Sequence, residues 1–179
     1  MTKIALIGEA GSGKDFIAEL MVGYFGFKRY AFADPIKTIA AEYFPHLYGD
    51  GSVKNRKLLI GIGESFRELY SEVWVDYLIS EIDRTNPERI VVTDVRRQNE
   101  YEALKADGFV FVRIKTTAEK RMERMKRRGD DIQMDALSHV TEQLYDTFDC
   151  EFVLDNEYDE TILAYASLAN LLDYGFDIT

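Results

Sequence analysis

A glycine-rich segment near the start of the chain, residues 8–15, limits the possible folds more than any other feature of the sequence. A short apolar run at residues 4–7 precedes it and is typical of a buried strand. After it, apolar residues recur at helical spacing over residues 16–25, and Gly26 ends the pattern. A strand, a glycine-rich turn and an amphipathic helix in this order predict the beginning of an α/β domain.

The rest of the chain repeats this alternation of short apolar runs and longer amphipathic segments. Four further strands are predicted at residues 29–33, 89–93, 109–114 and 150–154. Between them, Asp34 and Pro35 predict a helix N-cap and first helical position, and an apolar stripe over residues 66–82 predicts one long helix. A last helix is predicted at residues 161–172. The pattern indicates an α/β fold in three layers, with a five-stranded parallel sheet covered by helices on both faces.

Length and composition narrow the class of protein further. The 179 residues suit one domain, and no repeat or linker-like tract marks a domain boundary. The N-terminal apolar run is too short for a membrane span, and the single cysteine, Cys150, is typical of a reducing compartment, so we expect a cytoplasmic protein without a membrane partner. A net charge of −10 argues against a protein that coats nucleic acid.

The glycine-rich segment matches the P-loop pattern G-x-x-x-x-G-K. The backbone N–H groups around Gly11, Ser12 and Gly13, together with the Lys14 ammonium, are therefore predicted to hold the phosphates of ATP or a similar nucleoside triphosphate. Asp15 stands where the pattern has Ser or Thr. Its carboxylate is predicted either to bind Mg²⁺, directly or through water, or to cap the first helical turn.

Further charged residues follow the predicted strands. Asp94 comes directly after residues 89–93, where a second acidic residue of P-loop enzymes orders Mg²⁺. Arg96 lies on the rim where an α/β sheet binds ligands, and its guanidinium could clamp an acceptor phosphate.

A basic helix is predicted over residues 120–128. Arg121, Arg124 and Arg128 share one face of it, and we expect Arg124 and Arg128 to stabilise the transferring phosphate as part of a lid. The alternative is a solvated charged face. Arg67 stands one position away from the long apolar stripe and is a further candidate for ligand contact.

The chain resembles a known family over almost its whole length, the deoxynucleoside monophosphate (dNMP) kinases of tailed bacteriophages, relatives of the adenylate-kinase-like nucleoside monophosphate (NMP) kinases. The resemblance is carried by short motifs that occur in the same order as in the family. They lie at residues 11–15, 33–37, 56–59, 62–63, 74, 93–96, 138–142 and 154–156. They include Asp after the P-loop lysine, as in the family.

The resemblance implies ATP, Mg²⁺ and a dNMP acceptor, with dNDP and ADP as products that support the phage dNTP supply. It implies a core of residues 1–33, 87–115 and 148–179, an NMP-binding insertion near 34–86 and a lid near 116–147. By matching position, Lys37, Arg56, Trp74 and Arg96 look like acceptor-site residues. Asp34 and Arg67 are further candidates for substrate binding. Asn156 corresponds to part of the adenine pocket. Related phage enzymes suggest a homodimer.

Other functions remain open from the residues alone. One is a P-loop kinase of another small acceptor, such as phosphomevalonate or dephospho-coenzyme A. Others are a non-catalytic nucleotide-binding protein and a nucleic-acid end kinase, the last of which is at odds with the acidic charge. An acceptor pocket lined by aromatic side chains would favour a nucleobase, and a purely polar pocket would favour the alternatives.

Overall fold

A computed structural model of the chain describes residues 1–49, 55–127, 147–157 and 161–176. The contacts divide the chain into two units. The first unit combines Met1–Arg29 with Pro87–Thr179, and the second is Tyr30–Asn86.

The sheet has five strands in the order β2-β3-β1-β4-β5. The strands are β1 (Thr2–Ile7), β2 (Lys28–Tyr30), β3 (Arg89–Val92), β4 (Val110–Lys115) and β5 (Phe152–Asp155). β1 is central and runs parallel to β3, with Ile4 opposite Val91, and parallel to β4, with Leu6 opposite Val112. Its apolar residues are buried on both faces, as parallel strands require.

Eight helices occur within the described residues: α1 (Lys14–Phe25), α2 (Ala33–Tyr43), α3 (Pro45–Tyr48), α4 (Arg56–Leu69), α5 (Val73–Thr85), α6 (Gln98–Ala106), α7 (Ala118–Arg127) and α8 (Thr161–Phe176). In the first unit, α1 and α8 cover one face of the sheet, where Leu168 and Leu172 join the core cluster around Ile4 and Leu6. On the other face, the ring of Tyr101 in α6 lies 4.5 Å from that of Phe111 in β4. The predicted α/β fold with a five-stranded parallel sheet is confirmed.

Two local predictions for the second unit are wrong. The apolar stripe of residues 66–82 is split between α4 and α5, because the backbone at Tyr70 is extended (φ −156°, ψ 112°). Asp34 does not cap α2, which begins one residue earlier at Ala33 and leaves β2 ending at Tyr30. The Asp34 carboxylate instead accepts a hydrogen bond from Lys37 Nζ at 3.0 Å.

No helix in the described part of the chain is both long and apolar enough to cross a membrane.

Cys150 is half-buried, and burial raises the pKa of its thiol. Because the thiolate is the reactive form, we expect iodoacetamide to alkylate the folded protein several-fold more slowly than free cysteine at pH 8. Mass spectrometry of timed samples measures the rate, and unfolding in urea should restore it. Equal rates in the folded and unfolded protein would contradict this environment.

Candidate nucleotide-binding site

The glycine-rich segment forms the loop between β1 and α1. Its backbone is left-handed at Gly11 (φ 80°) and Gly13 (φ 90°), a conformation that favours glycine. The N–H of Ser12 donates to the carbonyl of Glu9 at 3.1 Å, and α1 begins immediately afterwards at Lys14. A helix N-terminus that follows such a loop concentrates backbone N–H groups and partial positive charge, which suits phosphate.

Lys14 and Asp15 both lie in the first turn of α1. The ammonium of Lys14 donates hydrogen bonds to two carbonyls of the same loop, those of Gly8 and, at 3.0 Å, Glu9. Asp15 is exposed. The lysine charge is therefore held at the loop where the phosphates of a nucleotide are predicted to bind.

Three other strand ends belong to the same edge of the sheet, because the carboxyl ends of parallel strands meet there. Half-buried Asp94 follows β3, Thr116 follows β4 and buried Asn156 follows β5. The exposed Arg96 is fixed through its backbone, since its N–H donates to the carboxylate of the buried Glu100 at 2.8 Å.

Mg²⁺ usually takes one or two carboxylates from the protein and completes its shell with phosphate oxygens and water. Asp15 and Asp94 supply oxygen donors of this kind at the ends of α1 and β3. Among the described residues, no group of three or more potential ligands is placed to hold a metal ion. Two carboxylates match the usual protein contribution to a magnesium ion that is also held by phosphate oxygens.

Helix α7 contacts the P-loop through its arginines. The Arg121 guanidinium pairs with Glu9 at 2.5 Å, and Arg124 Nη1 lies 3.4 Å from the Ser12 carbonyl oxygen. Any side chain at Gly11 would meet the Arg121 carbonyl at 2.8 Å. The predicted basic face thus lies against the glycine-rich loop at Arg121 and Arg124, while Arg128 lies outside the described residues.

The sequence pattern placed Arg121 on the basic face but did not predict it as a site residue. The i+3 spacing from Arg124 placed it on the right face, but nothing local in the sequence indicates Glu9 as its partner. Most of the predicted lid and the family motif at residues 138–142 also lie outside the described residues.

The predicted acceptor residues of the second unit form two ion pairs. Lys37 and Asp34 are joined at 3.0 Å, and Arg67 Nη1 lies 3.1 Å from Glu64 Oε1. Exposed Arg56 begins α4, directly after the N-cap Asn55. Lys37 on α2 and Arg67 on α4 are thus each paired with a carboxylate.

Trp74 is 3% exposed, and its indole N–H donates to the carbonyl of Gly63 at 3.2 Å. Arg67 also lies close to Gly63, where an added Cβ would be 3.1 Å from its guanidinium. The indole therefore ties α5 to α4 beside Arg67.

An open groove of about 620 Å³ lies within the second unit. Its walls come from α2, the end of α4 and α5, and are formed by Pro35, Thr38, Ile39, Phe66, Tyr70, Val73, Trp74, Asp76, Tyr77 and Ser80. The Tyr70 hydroxyl donates to Asp76 at 2.6 Å, and this hydrogen bond raises the pKa of Tyr70. Four of the ten lining residues are therefore aromatic, and the polar ones include the Asp76 carboxylate and the Tyr70 phenol.

Comparison with known proteins places the fold among those of small kinases. One solved structure is a shikimate kinase from Acinetobacter baumannii in complex with shikimate, with a TM-score of 0.61, 16% identity, and coverage of 99% of this chain and 94% of that one. Another is a deoxyadenosine kinase from M. mycoides with the products dCMP and a flexible dCDP bound. It has a TM-score of 0.54 and 16% identity, with 99% of this chain and 100% of that chain covered.

A sugar kinase from Janibacter sp. has a TM-score of 0.57 and 16% identity, with coverage of 100% of this chain and 96% of that one. No protein-family model and no curated protein sequence matches the chain. At this level of identity the likeness establishes the fold alone, an α/β fold that this chain shares with these kinases.

Proposed function

We propose that this protein is a dNMP kinase, which transfers the γ-phosphate of ATP to a dNMP and releases dNDP and ADP. ATP would bind at the P-loop through residues 11–15, with Lys14 on its β- and γ-phosphates. Mg²⁺, held with ATP at Asp15 and Asp94, would neutralise charge on the phosphates. Such an activity would supply dNTP precursors, in the host cytoplasm if the protein is encoded by a phage.

The groove in the second unit, with its aromatic lining residues, is the observation that favours a nucleotide as the acceptor. Phe66, Tyr70, Trp74 and Tyr77 all line it, and every nucleobase has a face that can stack on an aromatic ring. Phosphomevalonate has no ring to place there. The bound dCMP and dCDP of the M. mycoides kinase indicate that this fold can hold deoxynucleotides.

The chemistry requires little from a general base. The acceptor phosphate has a second pKa of about 6 and is a dianion at neutral pH, so it is already nucleophilic. The protein has to hold two repelling anions in line and stabilise the charge that spreads over the transferring group. We assign the acceptor phosphate to Lys37, Arg56, Arg67 and Arg96, with Asp34 orienting Lys37. Arg124 and Arg128 would stabilise the transferring group.

An ADP-release assay tests the proposal. With Mg-ATP as donor, we expect turnover with one or more of dGMP, dTMP, dCMP and dAMP, with GMP and dephospho-coenzyme A as comparison acceptors. If none of the nucleotides supports turnover while ATP still binds, the dNMP assignment is wrong. Turnover with dephospho-coenzyme A alone would favour that alternative, and binding without any turnover would favour a non-catalytic nucleotide-binding protein.

Removal of an aromatic ring from the groove should weaken acceptor binding selectively. We expect Tyr77→Ala to raise the KM for the dNMP about tenfold and to leave the KM for ATP unchanged, because base stacking on an aromatic side chain contributes about 1–3 kcal/mol. Steady-state kinetics with each substrate varied in turn measures both constants.

Tyr43→Ala is the matched control for this variant. Tyr43 is also an exposed tyrosine of the second unit (68%, against 47% for Tyr77), but it does not line the groove. An unchanged acceptor KM in Tyr77→Ala, or an equal rise in both variants, would show that the groove does not hold the base.

A further inference from the structure

The carbonyl of Ser12, in the middle of the P-loop, is held by two other loops of the first unit. Asn156 Nδ2, after β5, donates to it at 2.8 Å, and the Thr116 hydroxyl, after β4, lies 3.0 Å from it. Arg124 Nη1 approaches the same oxygen at 3.4 Å. One P-loop carbonyl thus faces donors from the loops after β4 and β5 and from α7.

Asn156 is built into this position. The residue is 1% exposed, and its backbone N–H donates to the carbonyl of Lys115 at 2.7 Å. The Thr116 hydroxyl also lies 3.2 Å from the Asn156 carbonyl, which links the two loops. At Gly13, an added Cβ would be only 2.2 Å from Asn156 Nδ2, so the amide packs directly against the P-loop backbone.

Because the peptide group is planar, the hydrogen bond from Asn156 to the Ser12 carbonyl also affects the direction of the Gly13 N–H. In a trans peptide the C=O and N–H groups point in opposite directions, so an anchored Ser12 carbonyl turns the Gly13 N–H away from Asn156. Phosphate binding at a P-loop depends on successive N–H groups that face the ligand. The orientation of the peptide between Ser12 and Gly13 is therefore set from outside the loop.

We propose that Asn156 is a positioning residue that sets the P-loop for phosphate binding through the Ser12 carbonyl, with Thr116 as its auxiliary. This role differs from a contact with adenine, which the family resemblance implies for Asn156. An adenine contact would serve one base, whereas a fixed P-loop serves any ligand with a triphosphate. The inference rests only on the nucleotide-binding part of the proposed function and does not depend on the acceptor.

Binding of three ligands to the full chain separates the two roles. ATP, GTP and inorganic tripolyphosphate are titrated by calorimetry, with Mg²⁺, into the wild type and into Asn156→Asp, which replaces the amide donor with an acceptor. We expect the affinity for all three ligands to fall by a similar factor, about tenfold or more, because a buried hydrogen bond is replaced by repulsion. Thr116→Val should weaken the three in parallel by a smaller factor, and Thr116→Ser, which keeps the hydroxyl, should restore wild-type affinity.

A loss confined to ATP, with GTP and tripolyphosphate unchanged, would overturn the proposal in favour of an adenine contact. Unchanged affinity for all three ligands, or a wild type that binds none of them, would also overturn it. If circular dichroism shows that Asn156→Asp does not fold, the two Thr116 variants test the proposal instead. Equal affinities in Thr116→Val and Thr116→Ser would then contradict it. Because no acceptor is present, these outcomes are independent of whether dNMPs are the substrates.

Discussion

Lys14→Ala should reduce turnover by about a thousandfold while the fold is retained. The variant removes the charge that is predicted to follow the β- and γ-phosphates, and a single preorganised group of this kind contributes about 10²–10³ to a rate. In the structure the ammonium donates to two carbonyls of its own loop, those of Gly8 and Glu9. Its removal leaves the apolar core untouched, so the thermal midpoint should change little.

The rate of ADP release at saturating acceptor measures this effect, and calorimetry shows how much of it is lost ATP affinity. Lys28→Ala is the matched control, because Lys28 is an exposed lysine of the same unit in β2, outside the candidate site. Retention of more than about a tenth of wild-type turnover by a folded Lys14→Ala variant would contradict the role assigned to the P-loop lysine.

Gly13→Ala should lower both stability and nucleotide affinity. Its left-handed backbone is unfavourable for alanine, and the new methyl group would be 2.2 Å from Asn156 Nδ2. Relief of that overlap requires Asn156 to give up its bond to Ser12. We expect a loss of roughly 3 kcal/mol in the free energy of unfolding and at least about a tenfold loss of ATP affinity.

Gly26→Ala separates backbone strain from this overlap. Gly26 has a similar left-handed backbone (φ 70°) at the end of α1, but among the described residues, its two chain neighbours apart, no atom lies within 4 Å of an added Cβ. Gly26→Ala should lower the free energy of unfolding by only about 1 kcal/mol and leave ATP affinity unchanged. Urea denaturation measures the stability of both variants. Equal stabilities and equal ATP affinities in the two variants would show that Asn156 does not restrict Gly13.

The parts of the fold that sequence alone predicted are those with local causes. The P-loop could be recognised because its strand, glycines, lysine and helix are adjacent in the chain. The strands of the first unit could be recognised because burial on both faces demands continuous apolar runs, as in Ile90, Val91 and Val92 of β3. The break between α4 and α5 was missed because apolar residues continue at helical spacing across Tyr70, and only the observed backbone reveals the turn.

The parts of the site that sequence could not predict depend on contacts between distant segments. Asn156 and Ser12 are 144 residues apart, and their hydrogen bond exists because β5 and β1 end at the same edge of the sheet. The Arg121–Glu9 pair likewise joins α7 to the P-loop. The aromatic groove was foreseen only as a criterion for choosing the acceptor, because its walls come from three helices whose packing no local pattern encodes.

The most direct test of the central claim is to follow the transferred phosphate itself. The protein is incubated with Mg²⁺, ATP labelled with ³²P at the γ-position and each dNMP, and the products are separated by thin-layer chromatography, with Lys14→Ala as a control. If the protein transfers the phosphate to a dNMP, the ³²P label should appear in the corresponding dNDP. This labelled product should form only when the matching dNMP is present, and it should be absent with Lys14→Ala. Label that stays in ATP, or appears only as inorganic phosphate with every dNMP, would contradict the assignment.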